Sequence, residues 1–409
     1  MAKQEEITNQ NIQRKVDFKF PILTIRTKMF NGVFDKLGTF RASRWFARAA
    51  VVIVPVIAAI GLYLLINSLI NMLWTPAVRE ISREIGVTSY LLLPGINPML
   101  PVLYGWLAII VAITIHEGAH GIVARNEGFN VKSSGLLFFL FIPIGAFVDV
   151  DEEQIAKAKP RPALKVMAAG VGANILLAAI CLFGVIIIVN GLTPIADGVY
   201  VYNTVEDGPA QQAGIHVGDI FVSVDNMAII NYSDVQTIFA DKQPGDTINV
   251  TVARGDNWKN NFSTKITLVE SEGRAIMGVS LGELTTTARL QQYQTISPST
   301  LMLYMIPPAL APGFVPFSDS LAPFYSSALG SQWVIWVNLL FWVWFININV
   351  AVFNALPIYP MDGGRMFDIG LKHVFGKKLN EKAIRNINIV VTSSIVIILA
   401  LIIVIPFVF

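Results

Sequence analysis

The sequence predicts a polytopic α-helical membrane protein with about five to six transmembrane helices, a membrane-associated β-hairpin or sheet, and one soluble α+β domain. Three observations carry this expectation. Only 14% of the 409 residues are charged and 54% are hydrophobic, where a soluble globular chain carries about 25% charged residues. The missing charge is concentrated in apolar runs of about 20 residues or more, the length that crosses a bilayer as a helix. One stretch, 194–284, breaks the trend, with near-normal charge content and more acids than bases. The formal net charge of +2 matters less than its distribution, and no nucleic acid is expected as a partner. The single cysteine, Cys181, lies in an apolar run, which excludes an intramolecular disulfide and a Cys-rich metal site.

Residues 1–45 are polar and basic, with no short apolar region ahead of a cleavage site, so the first spanning helix is expected to act as signal anchor. Within this lead-in, 1–13 are polar and expected to fray. Residues 18–27 alternate as one strand, with Pro21 as an edge mark. Residues 29–48 mix Phe, Leu and Trp with Lys and Arg, as a segment lying along a membrane surface does. Residues 46–74 form the first span. A short exposed helix is expected at 75–86. Residues 91–103 contain Pro94, Pro98 and Pro101 and read as a loop or a bent re-entry. The second span is 104–125, closed by Arg125. Residues 135–150 are apolar, but Pro143 and Gly145 break them and they are too short to span as a helix. They read as a β-hairpin dipped into the membrane, tolerated where protein covers it or where it lines a cavity.

The third span, 161–190, opens with Ala168-Ala-Gly-Val-Gly-Ala-Asn174, and such small residues permit close helix approach. Asn174 either bonds a neighbouring helix or faces a site at membrane depth. The soluble stretch 194–284 alternates turn residues, a short helix start and strands, with a second strand at 248–252 after a Pro-Gly-Asp turn. Residues 285–332 are a linker with several prolines, 333–353 the fourth span, 354–385 polar and basic, and 387–409 the fifth span. Basic residues are in excess at 1–48, 125–165 and 365–385, whereas 75–101 is balanced. Five spans with the N-terminus inside reproduce that alternation. The expectation is a multi-pass protein of the cell membrane, N-terminus toward the cytoplasm, 194–284 outside.

The chemistry-bearing stretch is Ile115-His116-Glu117-Gly118-Ala119-His120-Gly121, in the last half of the second span. Helix positions i and i+4 share a face, so His116 and His120 can point at one metal ion. This is the His-Glu-x-x-His pattern of zinc metallopeptidases, with histidines as ligands and glutamate as general base. Ionisable side chains at membrane depth are costly and mark function. Nine residues separate His116 from Arg125, which puts the site ~10–14 Å below that surface. Catalytic zinc takes three protein ligands. Of the two other histidines, His216 falls in the outward domain and His373 on a solvated basic loop. A carboxylate is therefore the candidate. Asp362 follows the fourth span in a stretch broken by Pro357, Pro360, Gly363 and Gly364, which lets the chain turn back; Asp149 and Asp151 are the alternatives.

His116-Glu-Gly-Ala-His120 and Asn354-Ala-Leu-Pro357-Ile-Tyr-Pro360-Met-Asp362-Gly363 together resemble the site-2 protease family of intramembrane zinc metalloproteases, over a core from about residue 50 to the C-terminus. Pro94-Gly-Ile-Asn-Pro98 is similar to archaeal members. The resemblance implies that His116, His120 and Asp362 bind Zn2+ and that Glu117 is the catalytic acid/base. It also implies that Asn354 helps hold the substrate or the tetrahedral intermediate, and that the 135–150 hairpin pairs with an unwound substrate strand. Asn174, Gly135 and Phe147 are the candidate substrate-contacting residues. The small pair Gly118-Ala119 is expected to set how closely helices pack. Residues 194–284 resemble a PDZ domain of the bacterial HtrA-like, permuted kind, on Pro209-Ala210, Ala213-Gly214-Ile215, Gly218-Asp219 and the turn Pro244-Gly245-Asp246. Such domains bind extended segments or C-termini along a strand edge.

The expected division is a cytoplasmic lead-in at 1–45, the first part of a protease core at 46–193, the PDZ-like domain at 194–284, a linker at 285–332 and the second part of the core at 333–409. The expected activity is hydrolysis of peptide bonds in or near transmembrane segments. Membrane-anchored protein substrates, a peptide or C-terminus on the PDZ-like domain, and the lipid bilayer are the expected partners. Two rival readings differ in class. A CaaX-type protease needs a downstream Glu ligand on a helix, and none stands out beyond the fourth span. A non-catalytic, membrane-tethered receptor would have the PDZ-like domain as its working part.

Overall fold

The computed structural model describes residues 16–140, 142–255, 258–271, 273–295 and 297–408; the expectation for residues 1–13 lies outside them. Two compact units divide the chain, Met1–Leu182 with Phe341–Phe409, and Phe183–Leu340. Among the described residues, five helices are long and apolar enough to cross a membrane. They are Arg41–Trp74, Val102–Asn126, Pro160–Asn190, Gly330–Ala355 and Glu381–Val408. The first and last begin several residues earlier than hydropathy alone suggests. Their basic first turns (Arg41, Arg44; Lys382, Arg385) stay helical because Arg and Lys are good helix formers.

In the first unit, 29–48 is partly packed and partly exposed, with Met29, Phe40 and Trp45 on the surface. It holds a short helix, Asn31–Gly38, pinned to the end of the second span. Phe34 is buried there, and its ring lies where a Cβ on Gly121 would come within 3.1 Å. Asn126 Nδ2 donates to Gly38 O at 2.6 Å, and Arg125 pairs with Asp35 at 3.0 Å. By contrast a Cβ at Gly118 would meet nothing within 4 Å, so close packing falls on Gly121 rather than on Gly118. The third span approaches the first closely at Gly172, where an added Cβ would lie 2.7 Å from Ala50.

The expected hairpin is half of a four-stranded antiparallel sheet. Its strands are β1 (Val16–Lys19), β2 (Ile22–Thr27), β3 (Val131–Phe139) and β4 (Ile142–Val150), in the order β1-β2-β3-β4. The single strand expected at 18–27 is thus two strands, and Phe20–Pro21 form the turn between them. Pro21 has no N–H to lend to a ladder, so it sits at the bend. Leu140 N donates to Pro21 O at 2.8 Å, which sets the two hairpin turns side by side. Phe18, Phe20, Leu136, Phe139 and Leu140 are exposed around them, an apolar end suited to lipid.

The second unit contains β5 (Leu192–Pro194), β6 (Gly198–Thr204), β7 (Ile220–Val224), β8 (Met227–Ala228), β9 (Thr247–Arg254), β10 (Asn260–Thr267), β11 (Val269–Ser271), β12 (Arg274–Ile276), β13 (Val279–Leu284) and β14 (Tyr325–Ser327). The main sheet runs β10-β9-β7-β6-β13, with β8 on β7. Alternate residues Ile248, Val250 and Val252 of β9 are buried with Val199, Val201, Phe221 and Ile266. The helix Tyr232–Phe239 starts from a capping box between Asn231 and Asp234. The segment expected as a linker, 285–332, packs into this unit. It forms the helices Thr286–Gln294 and Pro298–Leu303, buries Tyr293, Tyr304, Phe317 and Phe324, and closes a strand pair between β14 and β5. The ring of Trp258 stacks on Phe324 with centroids 4.6 Å apart. Its aromatic residues, not its prolines, decide its fate, because each buries a large apolar surface.

Truncating Phe34 to Ala should remove about 3 kcal/mol of packing, read as a lower thermal midpoint of the purified protein. The Lys242 ammonium, 2.7 Å from Asp225, and the Asn249 N–H hold the Asp225 carboxyl below its ordinary range. A depressed folded pKa gives stability that is present at neutral pH and fades as pH falls through that depressed value. Asp225→Asn should therefore be less stable than wild type at pH 7, and the gap should close on acidification.

Candidate metal centre

The second span carries His116 and His120 one helical turn apart, both buried, on the face turned to the third span. Asp362 comes from a distant part of the chain. The fourth span ends at Ala355, the chain turns through Leu356–Met361, and the helix Asp362–Phe375 begins. Gly363 and Gly364 make that turn possible. A Cβ on Gly363 would run into the backbone of Ala355 and Leu356, and one on Gly364 into Ile358 and Tyr359. The carboxylate of Asp362 then meets both rings, Oδ2 lying 3.0 Å from His116 Nε2 and 3.2 Å from His120 Nε2, while the two Nε2 atoms are 3.3 Å apart.

These three spacings suit a tetrahedral zinc site. Ligand distances of about 2.0–2.2 Å place neighbouring ligand atoms about 3.3 Å apart. Both rings present Nε2 inward, and their Nδ1 atoms are held from outside. His120 Nδ1 lies 2.7 Å from Val166 O, so with Nε2 as ligand its Nδ1–H donates to that carbonyl. His116 Nδ1 lies 3.3 Å from the side-chain amide of Asn174, whose Oδ1 is buried with no partner. The amide's O and N are interchangeable by a flip. With Oδ1 toward His116, it accepts the Nδ1–H and the orphaned acceptor is satisfied. The third span leaves room for this cradle at Gly170, where a Cβ would fall 2.5 Å from both Nε2 atoms.

Glu117 Oε2 accepts the Val148 N–H of β4 at 3.0 Å. A cavity of about 290 Å³ is lined by His116, Glu117, His120, Asp362, Asn354 and Arg365, among others. Asn354 is thus brought to the site from the last turn of the fourth span. Other expected residues are not. Asn174 is fully buried against His116 and is placed to hold the ring rather than to touch a substrate. Gly135 and Phe147 face each other across β3 and β4, and the Phe147 ring lies 2.6 Å from where a Gly135 Cβ would be. Arg26 sits over that ring at 5.0 Å, and it is Val148 and Val150 of β4 that line the cavity. The alternative ligands are committed elsewhere. Asp149 pairs with Arg26 at 3.8 Å; Asp151 caps the helix Glu152–Lys157 and pairs with Lys132 at 3.5 Å. Gly170, Val166 O and the Val148 N–H were not singled out from sequence; only the small-residue run 168–174 hinted at the first.

The pattern of Peptidase family M50 matches residues 104–401, which include both motifs. The chain belongs to Peptidase family M50 and is a membrane zinc metalloprotease. It is 24% identical over 340 residues to an uncharacterised protein of Methanocaldococcus jannaschii, covering 83% of this chain and 74% of that one. A provisionally named zinc metalloprotease of Synechocystis is 28% identical over 319 residues (68% of this chain, 86% of the other). Another, from Clostridium perfringens, is 26% identical over 323 residues (71% and 93%). Among solved structures, the PDZ domain of the SdrC-like protein of Listeria monocytogenes is 29% identical, covering 21% of this chain and 88% of that one, with a TM-score of 0.19.

Gly170→Ala should lower zinc affinity, because its Cβ would crowd both Nε2 atoms, with the helical circular dichroism unchanged. Zinc titration against a chelating dye checks it.

Proposed function

We propose that this protein is an intramembrane zinc endopeptidase that cuts membrane-anchored proteins in or near their transmembrane segments. The observation that supports this most is the convergence of Asp362 on His116 and His120, groups too costly at membrane depth to be idle. In this reading His116, His120 and Asp362 hold the zinc. The bound ion supplies Lewis acidity, which acidifies a water and polarises the scissile carbonyl. Glu117, oriented by the Val148 N–H, takes the proton of the attacking water and delivers it to the leaving nitrogen. Asn354 faces the same cavity, where its amide can hold the substrate oxygen as charge develops.

A helical substrate hides its amide bonds, so it must unwind locally before it is cut. The edge strand β4 is suited to receive it. The Val148 N–H is turned off the sheet toward Glu117, and Ala146, two residues away, turns its backbone groups the same way. An extended segment pairing there gains backbone hydrogen bonds with little demand on its side chains. In this reading Gly135 and Phe147 fix the register of that edge. Residues 46–193 and 333–409 are the two parts of the protease core. Residues 194–284 are a PDZ-like domain that binds an extended peptide or a C-terminus; Gly214 and Gly218 take positive φ at the turns its motif needs. The charge pattern supports a cell-membrane protein with the N-terminus and zinc site toward the cytoplasm and 194–284 outside.

Purified wild type should carry near one zinc per chain, and Asp362→Ala should lose at least the ~10–100-fold in affinity that even an outer neighbour costs. Glu117→Gln should keep its zinc and cleave a single-span reporter about 10²–10⁴-fold more slowly. Undiminished cleavage by Glu117→Gln would overturn the mechanism. A wild type that takes up no zinc would leave the peptide-binding receptor as the better reading.

A further inference from the structure

A groove of about 930 Å³ opens between the helix Asp362–Phe375 and the first turns of the fifth span, apart from the metal cavity. Its volume is within the ~300–1,000 Å³ of small-ligand sites. Five charged side chains line it: Asp368, Lys372, Glu381, Lys382 and Arg385. On the helix wall, Asp368 is fully engaged, by Lys372 at 2.7 Å and by Asn388 of the opposite wall at 2.7 Å. On the span wall, Lys382 and Arg385 are three residues apart, hence neighbours on one helix face. Both are exposed, and among the described residues neither has an ion pair or hydrogen bond. The bases outnumber the acids by three to two. One turn further along the span the lining includes Ile389, which is 55% exposed and adjoins exposed Val390, together with the polar residues Asn388, Thr392 and Ser393. The groove is therefore cationic at its outer end and offers one exposed isoleucine among polar groups further in.

A free anion would use only the first of these features; a phospholipid uses both. We infer that this groove binds the headgroup of an anionic phospholipid, its phosphate between Lys382 and Arg385 and its chain along Ile389, and that the bound head clamps the helix Asp362–Phe375 to the fifth span. Basic pockets between spans at the basic side of a membrane protein have the chemistry for such heads, and phosphate bonds to Lys and Arg are charge-assisted. The clamp, unlike the lipid site, rests on the proposed role of Asp362 as a zinc ligand, since Asp362 is the first residue of the clamped helix.

The test uses the full chain in nanodiscs of mixed phosphatidylglycerol and phosphatidylcholine, with retained lipid counted by native mass spectrometry. Lys382→Ala/Arg385→Ala should retain ~10–30-fold less phosphatidylglycerol, the loss expected for two cations, with phosphatidylcholine unchanged. Lys382→Arg/Arg385→Lys should restore retention. An equal loss in the control Arg41→Ala/Arg44→Ala, on the first span, would overturn the site in favour of general surface attraction. Displacement of the lipid by excess inorganic phosphate would overturn the lipid in favour of a free-anion site. For the clamp, the alanine pair should surrender zinc to a chelator ~5-fold faster or more, in phosphatidylglycerol discs only. Lost lipid with unchanged zinc release would overturn the clamp and leave the lipid site standing.

Discussion

Two buried imidazoles and a half-buried carboxylate must satisfy one another, and the first unit is built to let them. A carboxylate and two imidazoles cannot be taken out of water singly without large cost. They can be taken out together when one cation completes the set. That requirement reaches well beyond the ligands. The third span must be bare at Gly170, because the Nε2 atoms of His116 and His120 occupy the place of a side chain. The chain after the fourth span must be bare at Gly363 and Gly364, because only then does Asp362 reach the rings. The outward nitrogens need partners too, and they find the Val166 carbonyl and the Asn174 amide on the same third span. One helix therefore supplies both the space for the site and its outer support.

Glu117 obeys a different logic. Its carboxylate is held by a backbone amide of β4, not by a side chain. Holding a carboxylate this way makes its position depend on the register of a sheet. That register is fixed at several points around Val148. Gly135 receives the Phe147 ring, Arg26 covers that ring from β2, and Arg26 also pairs with Asp149. Gly135 and Phe147 thus pack against each other in the strand pair that carries Val148. A one-residue slip would turn the Val148 N–H into the ladder and leave Glu117 without its donor.

The metal site was legible because its rules are local. The i, i+4 spacing of His116 and His120 puts two ligands on one face whatever surrounds them, and a run broken by two prolines and two glycines announces a turn. Asn354 came with the family resemblance. What stayed hidden depends on pairing across long stretches of chain. Residues 18–27 alternate like a strand, but nothing local says that they belong to two strands, or that β2 joins β3 more than a hundred residues on. Asp362 was the best candidate from sequence; the partners of the alternatives Asp149 and Asp151, Arg26 and Lys132, were not visible there. The region 285–332 misled because prolines suggest a linker, whereas its burial rests on Tyr293, Tyr304, Phe317 and Phe324 meeting in space.

The ligands are also unequal in how firmly they are held, and this shapes how the site can be tuned. His116 and His120 sit mid-way along a long helix packed on its neighbours, so their spacing is set by helix geometry. Asp362 opens a short helix after an irregular turn, and the bonds that fix it lie away from the metal. Tyr359 N–H donates to Thr392, Asn388 bridges to Asp368, Arg365 Nε donates to Pro360 O, and Arg365 approaches Glu152 at 3.4 Å. Several of these contacts are solvent-exposed and individually weak. The carboxylate is therefore the adjustable member of the set. Any change that loosens the helix Asp362–Phe375 from the fifth span changes how often Oδ2 stands within reach of both rings.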